Sequence, residues 1–170
     1  VLSLKTLPES TFSGMMNGFL SFSFKYELIF SFNIPKQSKE MKSLEQKRRM
    51  AHSLTANNGG RVSDLEGESR LTQTTELIKE IIETGQQICE AELLIILREE
   101  NTFLGNKALN LNTKEVLSKF KTLSGAEGIH EAVSSWKVFS SSLPSAPMNL
   151  IRKKKMKTNN LVDFLPLYGA

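Results

Sequence analysis

The run from Leu71 to Glu100 constrains the fold most, because it is the longest stretch that can form one helix and has the highest apolar density. Steps of three and four residues place a set of apolar side chains on one stripe, namely Leu71, Ile78, Ile82, Cys89, Leu93 and Ile96. Seven glutamates occupy much of the remainder. Between Ala91 and Leu97 the run is apolar nearly all round, which is typical of a segment covered on more than one side. The pattern predicts one long acidic amphipathic helix, with a bend at Gly85.

Two other structures fit parts of this run. A short Ile- and Leu-rich stretch is ambiguous between helix and strand. The flanking Glu, Gln, Ala and Leu residues favour a helix, and no turn signal precedes the stretch. A coiled coil would place Gly85 and Glu92 on its seam, which is poor for a long supercoil. A core helix is therefore the first interpretation, and a short partner-binding coiled coil is the second.

The segment from Leu20 to Ile34 has the clearest two-residue period in the chain. Apolar residues, mostly aromatic, occupy one parity and polar residues the other, with Ile29 as the exception. This alternation predicts an extended β-like segment that ends at Pro35. Its pairing partner is either the short run Val1–Leu7 or strands missing upstream. The remaining alternatives are a helix imposed by tertiary packing and an aggregation-prone run in a chain not selected for a fold.

Shorter helices are predicted on both sides of the central run. The range Gln37–Leu54 has the pattern of a basic helix, and Ala56–Gly60 has the composition of a loop. After the central run, Asn112–Gly125 and Ala126–Phe139 each have apolar residues at helical steps. The Ser-, Pro- and Lys-rich sequence of residues 141–170 is typical of a flexible tail.

The predicted fold class is therefore mainly α. It is a small helical domain, residues 36–140, built around one long central helix. An extended aromatic segment, residues 1–35, precedes it, and a flexible basic tail, residues 141–170, follows it. The residues expected to be buried are Ile78, Ile82, Leu93, Ile96, Leu97, Leu117, Phe120, Val133 and Trp136.

Charge is distributed unevenly along the 170 residues, whose net charge is +4. Residues 36–61 carry seven basic and two acidic groups, whereas residues 62–100 carry three basic and ten acidic groups. The basic segment 36–49 can lie against the acidic helix or contact a polyanion. The exposed basic run Arg152, Lys153, Lys154, Lys155 and Lys157 is typical of a nuclear localisation signal read by an import receptor, or of a polyanion contact.

Cysteine usage and apolar run lengths bear on the compartment. The single cysteine, Cys89, excludes an intrachain disulfide, and the sequence has no Asn-x-Ser/Thr acceptor. Both features fit a reducing compartment, so nuclear or cytoplasmic localisation is expected. No run approaches the ~18 apolar residues of a membrane span. Because the chain begins with Val1, it is expected to be processed or a fragment.

No catalytic constellation is evident. Gly105-Asn106-Lys107 lacks the glycine spacing and the hydroxyl of a phosphate loop, and Gly105 suits a helix terminus. His52 and His130 are far apart and cannot form a zinc site with one cysteine. Cys89 lies on the apolar stripe, where thiols are usually inert. No enzyme activity, cofactor or metal is therefore predicted.

The predicted function is a non-enzymatic intracellular adaptor that binds a protein partner through the long helix. The side chains assigned to that contact are Ile78, Ile82, Leu93, Leu94, Ile96 and Leu97. One alternative is a nuclear protein that binds nucleic acid through segments 36–49 and 152–157, with salt-dependent affinity. Another is a splice product or novel reading frame without an evolved activity, since a β-like start precedes a helical middle.

Overall fold

A computed structural model describes residues 1–56, 65–143 and 150–165, with side chains given for all of these except residues 54–56. It is a mixed α/β structure. The strands are β1 (Leu2–Thr6), β2 (Tyr26–Asn33), β3 (Ile88–Leu97), β4 (Glu127–His130) and β5 (Lys154–Lys157). The helices are α1 (Gln37–Ala56), α2 (Leu65–Thr84), α3 (Phe103–Lys121), α4 (Ser135–Ser141) and α5 (Thr158–Asp163), with a short 3-10 helix at Met15–Phe19.

The predicted central helix is wrong, because the run divides into a helix and a strand. Helix α2 ends at Thr84, and Gly85 has the left-handed φ of +67° that ends a helix without a Cβ clash. Strand β3 follows, and every residue from Ala91 to Leu97 is buried. A strand buried on both faces has a near-continuous apolar sequence rather than an alternating one, which explains the helical interpretation. The coiled-coil alternative is wrong for the same reason.

Strand β3 lies at the centre of the five-stranded sheet. One edge of β3 pairs antiparallel with β2 along the whole length of β2, from Tyr26 opposite Leu97 to Asn33 opposite Glu90. Its other edge pairs with β1 and β5, and β1 pairs in turn with β4. The predicted aromatic β-segment therefore contains a strand, β2, but its partner is β3 rather than the first seven residues.

One face of the sheet carries the main hydrophobic core. Alternate residues of β3 face it, from Cys89 through Leu93 to Leu97, and helix α3 covers it with Val116 and Phe120. The 3-10 helix and α5 complete the cover. The ring centroids of Phe19 and Phe120 lie 4.9 Å apart, and those of Phe30 and Phe164 lie 6.0 Å apart. Full burial of such a ring contributes about 1.5–3 kcal/mol relative to exposure.

The predicted flexible tail is wrong in its described part. Residues 154–157 form β5, and Phe164 is completely buried in the core. The tail is rich in Ser, Pro and Lys, but Met156, Leu161 and Phe164 are all buried in that core. Their burial depends on a sheet built by distant residues, which local composition does not report.

Two predicted helices also differ from the observed elements, one in where it begins and the other in its type. Helix α3 begins at Phe103 because the Thr102 hydroxyl accepts a hydrogen bond from the Gly105 N–H at 3.0 Å, so Gly105 lies inside the first turn. The predicted helix 126–139 is a strand followed by the short α4. Val133 and Trp136, expected in the core, are 101% and 75% exposed.

The chain forms two compact units. The sheet unit comprises Val1–Asn33 and Cys89–Ala170, and the hairpin unit comprises Ile34–Ile88. This division differs from the predicted one into residues 1–35, 36–140 and 141–170, because the hairpin unit is an insertion between two neighbouring strands. Most of the predicted loop 56–60 lies outside the described residues.

Candidate protein-docking site

The hairpin unit consists of α1 and α2, packed with the C-terminal half of α1 against the N-terminal half of α2. Ala51 and Gly67 are buried and line one common cavity, so small side chains allow the helices to approach closely. At the base, the Gln37 side-chain amide donates to the Ile88 carbonyl and accepts from the Ile88 N–H, both at 2.9 Å. This pair of hydrogen bonds ties the start of the hairpin unit to its end.

A groove of about 390 Å³ runs along one side of the two helices. Its lining comes from both helices and consists of Arg48, Arg49, His52, Leu71 and Thr75, and we call it the basic groove. The Thr75 hydroxyl donates to the Leu71 carbonyl at 2.8 Å, so this polar group is satisfied within α2. Positions 71, 75, 78 and 82 are separated by four, three and four residues, which places them on one stripe of the helix. Ile82, at the end of the stripe, is 69% exposed.

The opposite side of the hairpin has a groove of about 340 Å³ with different electrostatics. Its lining consists of Lys47, Met50, Ala51, Glu66, Gly67, Arg70, Gln73 and Thr74. Here Arg70 forms an ion pair with Glu66, one turn earlier in α2, with 2.5 Å between Arg70 Nη2 and Glu66 Oε1. Within the described residues, by contrast, neither Arg48 nor Arg49 has an ion-pair partner. The two grooves therefore differ in the positive charge they offer to a ligand.

The six side chains assigned to partner binding do not form one face. Ile78 and Ile82 lie on α2, and the others lie in β3, where Leu93, Leu94, Ile96 and Leu97 are at most 9% exposed. A docking role stays a prediction, and Ile82 is the member of the set that is accessible to another molecule.

The basic residues near the C-terminus are held within the sheet unit. The Arg152 guanidinium donates from Nε and Nη2 to the two oxygens of Glu131, at 2.6 and 2.7 Å. Ser3 Oγ donates to the same carboxylate at 2.5 Å, and the Arg152 backbone N–H donates to Glu92 at 2.5 Å. Lys153 pairs with Glu90 at 3.0 Å. In the predicted exposed basic run, Arg152 and Lys153 are therefore paired with carboxylates, and the other members lie within β5.

The two buried carboxylates of this cluster respond to burial differently. Hydrogen bonds from Arg152 lower the pKa of Glu131 despite the opposing effect of burial. Burial raises the pKa of Glu92, although the backbone N–H groups of Arg152 and Ile151 oppose this shift. The Arg152 pKa is raised by its hydrogen bonds to Glu131. Glu131 is thus a stable anion that joins the segments around β1, β4 and β5.

The other residues considered as metal ligands, nucleophile or phosphate-binding glycine have structural explanations. In the described ranges no three His, Cys, Asp or Glu side chains are grouped to hold a metal ion. Cys89 is fully buried, and burial raises the pKa of its thiol, so it stays protonated at neutral pH. Gly105 lies so close to the Glu100 carbonyl oxygen that a Cβ would collide with it. The glycine is therefore required by the start of α3.

The described residues form a mixed α/β protein in which a helical hairpin connects β2 and β3, two neighbouring strands of the sheet. The chain belongs to the CagE, TrbE, VirB family, component of type IV transporter system, whose sequence model matches residues 1–152. None of the curated proteins matches the sequence. Of the helices in the three described ranges, none has the length and apolar content to cross a bilayer.

Family membership corrects several predictions. A type IV secretion component acts at the cell envelope, so nuclear or cytoplasmic localisation, the import signal and the nuclear nucleic-acid function are wrong. A family match over most of the chain also excludes a splice product without an evolved role. The adaptor function through a 71–100 helix is wrong because that helix does not exist. The coarser expectation of protein partners is confirmed, since a component of a transporter system works with other proteins.

Proposed function

We propose that this chain is a protein-docking part of a type IV transporter component and that its basic groove binds an acidic amphipathic helix of another protein of that system. The observation that carries the proposal is the juxtaposition of Arg48 and Arg49 with Leu71, the first residue of a largely apolar stripe of α2 that ends at the exposed Ile82. The arginines have no ion-pair partner among the described residues.

The stripe that begins in the groove at Leu71 and continues to Ile82 has a length that suits a helical ligand. From Leu71 to Ile82 the stripe extends about 16 Å, which is three turns of helix. A helix that docks in a groove uses apolar anchors at i, i+3 or i+4, and i+7. Its aspartates or glutamates would face Arg48 and Arg49, whose planar guanidinium groups bind carboxylates through two hydrogen bonds. The groove lined by Met50 is a weaker candidate, because Glu66 neutralises Arg70 and, among the described residues, only Lys47 remains there as an unpaired cation, against two arginines in the basic groove.

We further propose that this chain contributes docking and not catalysis. Members of the family are ATPases. The 170-residue sequence has no G-x-x-x-x-G-K-[S/T] loop, whose backbone N–H groups and lysine bind the nucleotide phosphates. ATP hydrolysis by the complete component would then require residues outside this sequence.

The test measures binding of the purified chain to purified proteins of the same transporter system, one at a time. Ile82→Glu places a charge where apolar burial is needed and should weaken the complex about 10- to 100-fold. Met50→Glu is the matched control, since Met50 is 66% exposed against 69% for Ile82 and lines the opposite groove. It should leave the affinity unchanged.

A second pair of variants tests the charge. The double variant R48E/R49E should abolish binding, and added salt should weaken the unmodified complex. The double variant K107E/K114E makes the same change in net charge on exposed residues of α3 and should have no effect. Equal losses for Ile82→Glu and Met50→Glu, or for the two double variants, would show that the basic groove is not the docking site. Circular dichroism checks that each variant keeps its helices.

A further inference from the structure

The outer edge of β2 is a long, open strand edge. All eight residues from Tyr26 to Asn33 pair with β3, and β2 is the terminal strand on its side of the sheet. Within the described residues, no strand other than β3 and no loop backbone is hydrogen-bonded to it. The strand at the other end, β4, has only four residues. The open edge of β2 thus presents the longer row of unpaired N–H and C=O groups.

Proteins usually protect such an edge with inward-pointing charges, prolines, bulges or a covering segment. The pairing of β2 with β3 is continuous and contains no bulge. Its one charged residue, Glu27, is paired with Arg98 at 3.0 Å within the sheet unit. Pro35 lies beyond its end. An aromatic-rich edge of this length, to which no further backbone segment of the described ranges is hydrogen-bonded, favours pairing with another strand.

We propose that β2 pairs antiparallel with β2 of a second copy of this chain, around a two-fold axis at Ile29. In this register each apolar residue lies opposite an apolar residue of the second copy, and each polar residue lies opposite a polar one. The apolar pairs are Leu28–Phe30, Tyr26–Phe32 and Ile29–Ile29, and the polar pairs are Glu27–Ser31 and Lys25–Asn33. No like charges lie directly opposite each other, an arrangement that would destabilise the ladder.

The same register keeps the two faces of the sheet consistent. Directly opposite residues of an antiparallel pair project to the same face. Tyr26, Leu28 and Phe30 pack against the hydrophobic core, so their partners in the second copy extend an apolar face. A two-fold axis uses each open edge once, so the assembly closes as a dimer and leaves no further β2 edge exposed. A second copy meets this pattern at every position by construction, and it places the one irregular residue, Ile29, opposite another Ile29.

Disulfide trapping tests the register in the full chain. Ile29→Cys places two thiols opposite each other at the axis, and mild oxidation should give a covalent species of twice the 19.1 kDa chain mass. Ser31→Cys is the matched control on the same strand. In the proposed register it lies opposite Glu27 and should not cross-link. The native Cys89 is fully buried and should stay unreacted.

A charge substitution tests the interface without cysteine chemistry. Asn33→Lys would place like charges opposite Lys25 at both ends of the interface and should raise the dimer dissociation constant roughly tenfold. Within its own protomer the new lysine lies opposite Glu90, which favours folding. Asn110→Lys makes the same change on an exposed position of α3 and should leave the dissociation constant unchanged. Analytical ultracentrifugation measures both.

A folded chain that is monomeric at high concentration and does not cross-link through Ile29→Cys would overturn the proposal. Equal cross-linking of the two cysteine variants would also overturn it, since that indicates random collision. A monomer whose β2 edge binds a strand of another protein would show that the second copy is the wrong occupant. None of these results depends on the basic groove, so this proposal and the docking proposal can fail independently.

Discussion

At the scale of single residues, the Arg152–Glu131 pair has the clearest energetic role. The Glu131 side chain is 2% exposed and the Arg152 side chain is 38% exposed, so the pair lies at the boundary of the sheet unit. An unpaired charge at the buried end would lose its hydrogen bonds without regaining water. In the neighbouring ion pair, the Lys153 side chain is 51% exposed and the Glu90 side chain is 12% exposed. Both partners are therefore better solvated than Arg152 and Glu131.

We expect Arg152→Ala to lower the free energy of unfolding by about 1–3 kcal/mol, because it leaves the buried Glu131 carboxylate without its main partner. Lys153→Ala, one residue away, should cost about 0–1 kcal/mol. Urea unfolding monitored by circular dichroism measures both. Because Arg152 lowers the Glu131 pKa below its ordinary value of 4.5, the cost should be fully present above that pH. The cost should diminish as the pH falls through the lowered pKa.

At the scale of elements, Gly85 decides where α2 ends and allows β3 to begin. Its φ of +67° is unfavourable for residues with a Cβ, and its N–H still donates to the Ile81 carbonyl at 3.1 Å. A Cβ at this position would have nothing within 4 Å, so the requirement for glycine comes from the backbone alone and not from packing.

We therefore expect Gly85→Ala to destabilise the fold by about 1 kcal/mol, through left-handed backbone strain. Gly85→Asn should cost less, because asparagine tolerates the left-handed region better than alanine. Thermal unfolding of the two variants provides the comparison. Equal stability of Gly85→Ala and the unmodified chain would mean that the residue does not adopt this conformation.

At the scale of the whole molecule, the two units differ in the size of their cores. In the described part of the hairpin unit, the buried hydrophobic residues are Ala51, Ile81 and Ile88. The sheet unit has a much larger buried cluster, centred on β3, which pairs along both edges and is buried on both faces. Local opening costs least where few apolar contacts are lost.

We expect amide hydrogen exchange to be slowest in β3 and at least roughly tenfold faster in the helices of the hairpin unit. Mass spectrometry of peptic fragments resolves the two regions, since residues 65–84 and 88–97 fall in separate peptides. Protection of α2 equal to that of β3 would indicate that the two units open together.

Elements whose signals are local can be predicted from the sequence alone. The basic helix α1 follows from its residue pattern, and β2 follows from an alternation between Tyr26 and Asn33 that only Ile29 interrupts. Gly125 was predicted as a helix end and has a left-handed φ of +78°, whereas Gly85, with φ of +67°, ends α2 where the sequence predicted only a bend. The absence of a phosphate loop is also a property of the sequence.

Tertiary structure decided what local patterns leave open. The run 91–97 has the composition of a buried helix or a buried strand, and its strand partners lie at residues 2–6 and 26–33, far away in sequence. The alignment of Arg48 and Arg49 beside Leu71 depends on how two helices pack, and the burial of Phe164 depends on a core assembled by other segments. Local propensity contributes tenths of a kcal/mol per residue, whereas burial of a large side chain contributes about 1.5–3 kcal/mol, so packing prevailed.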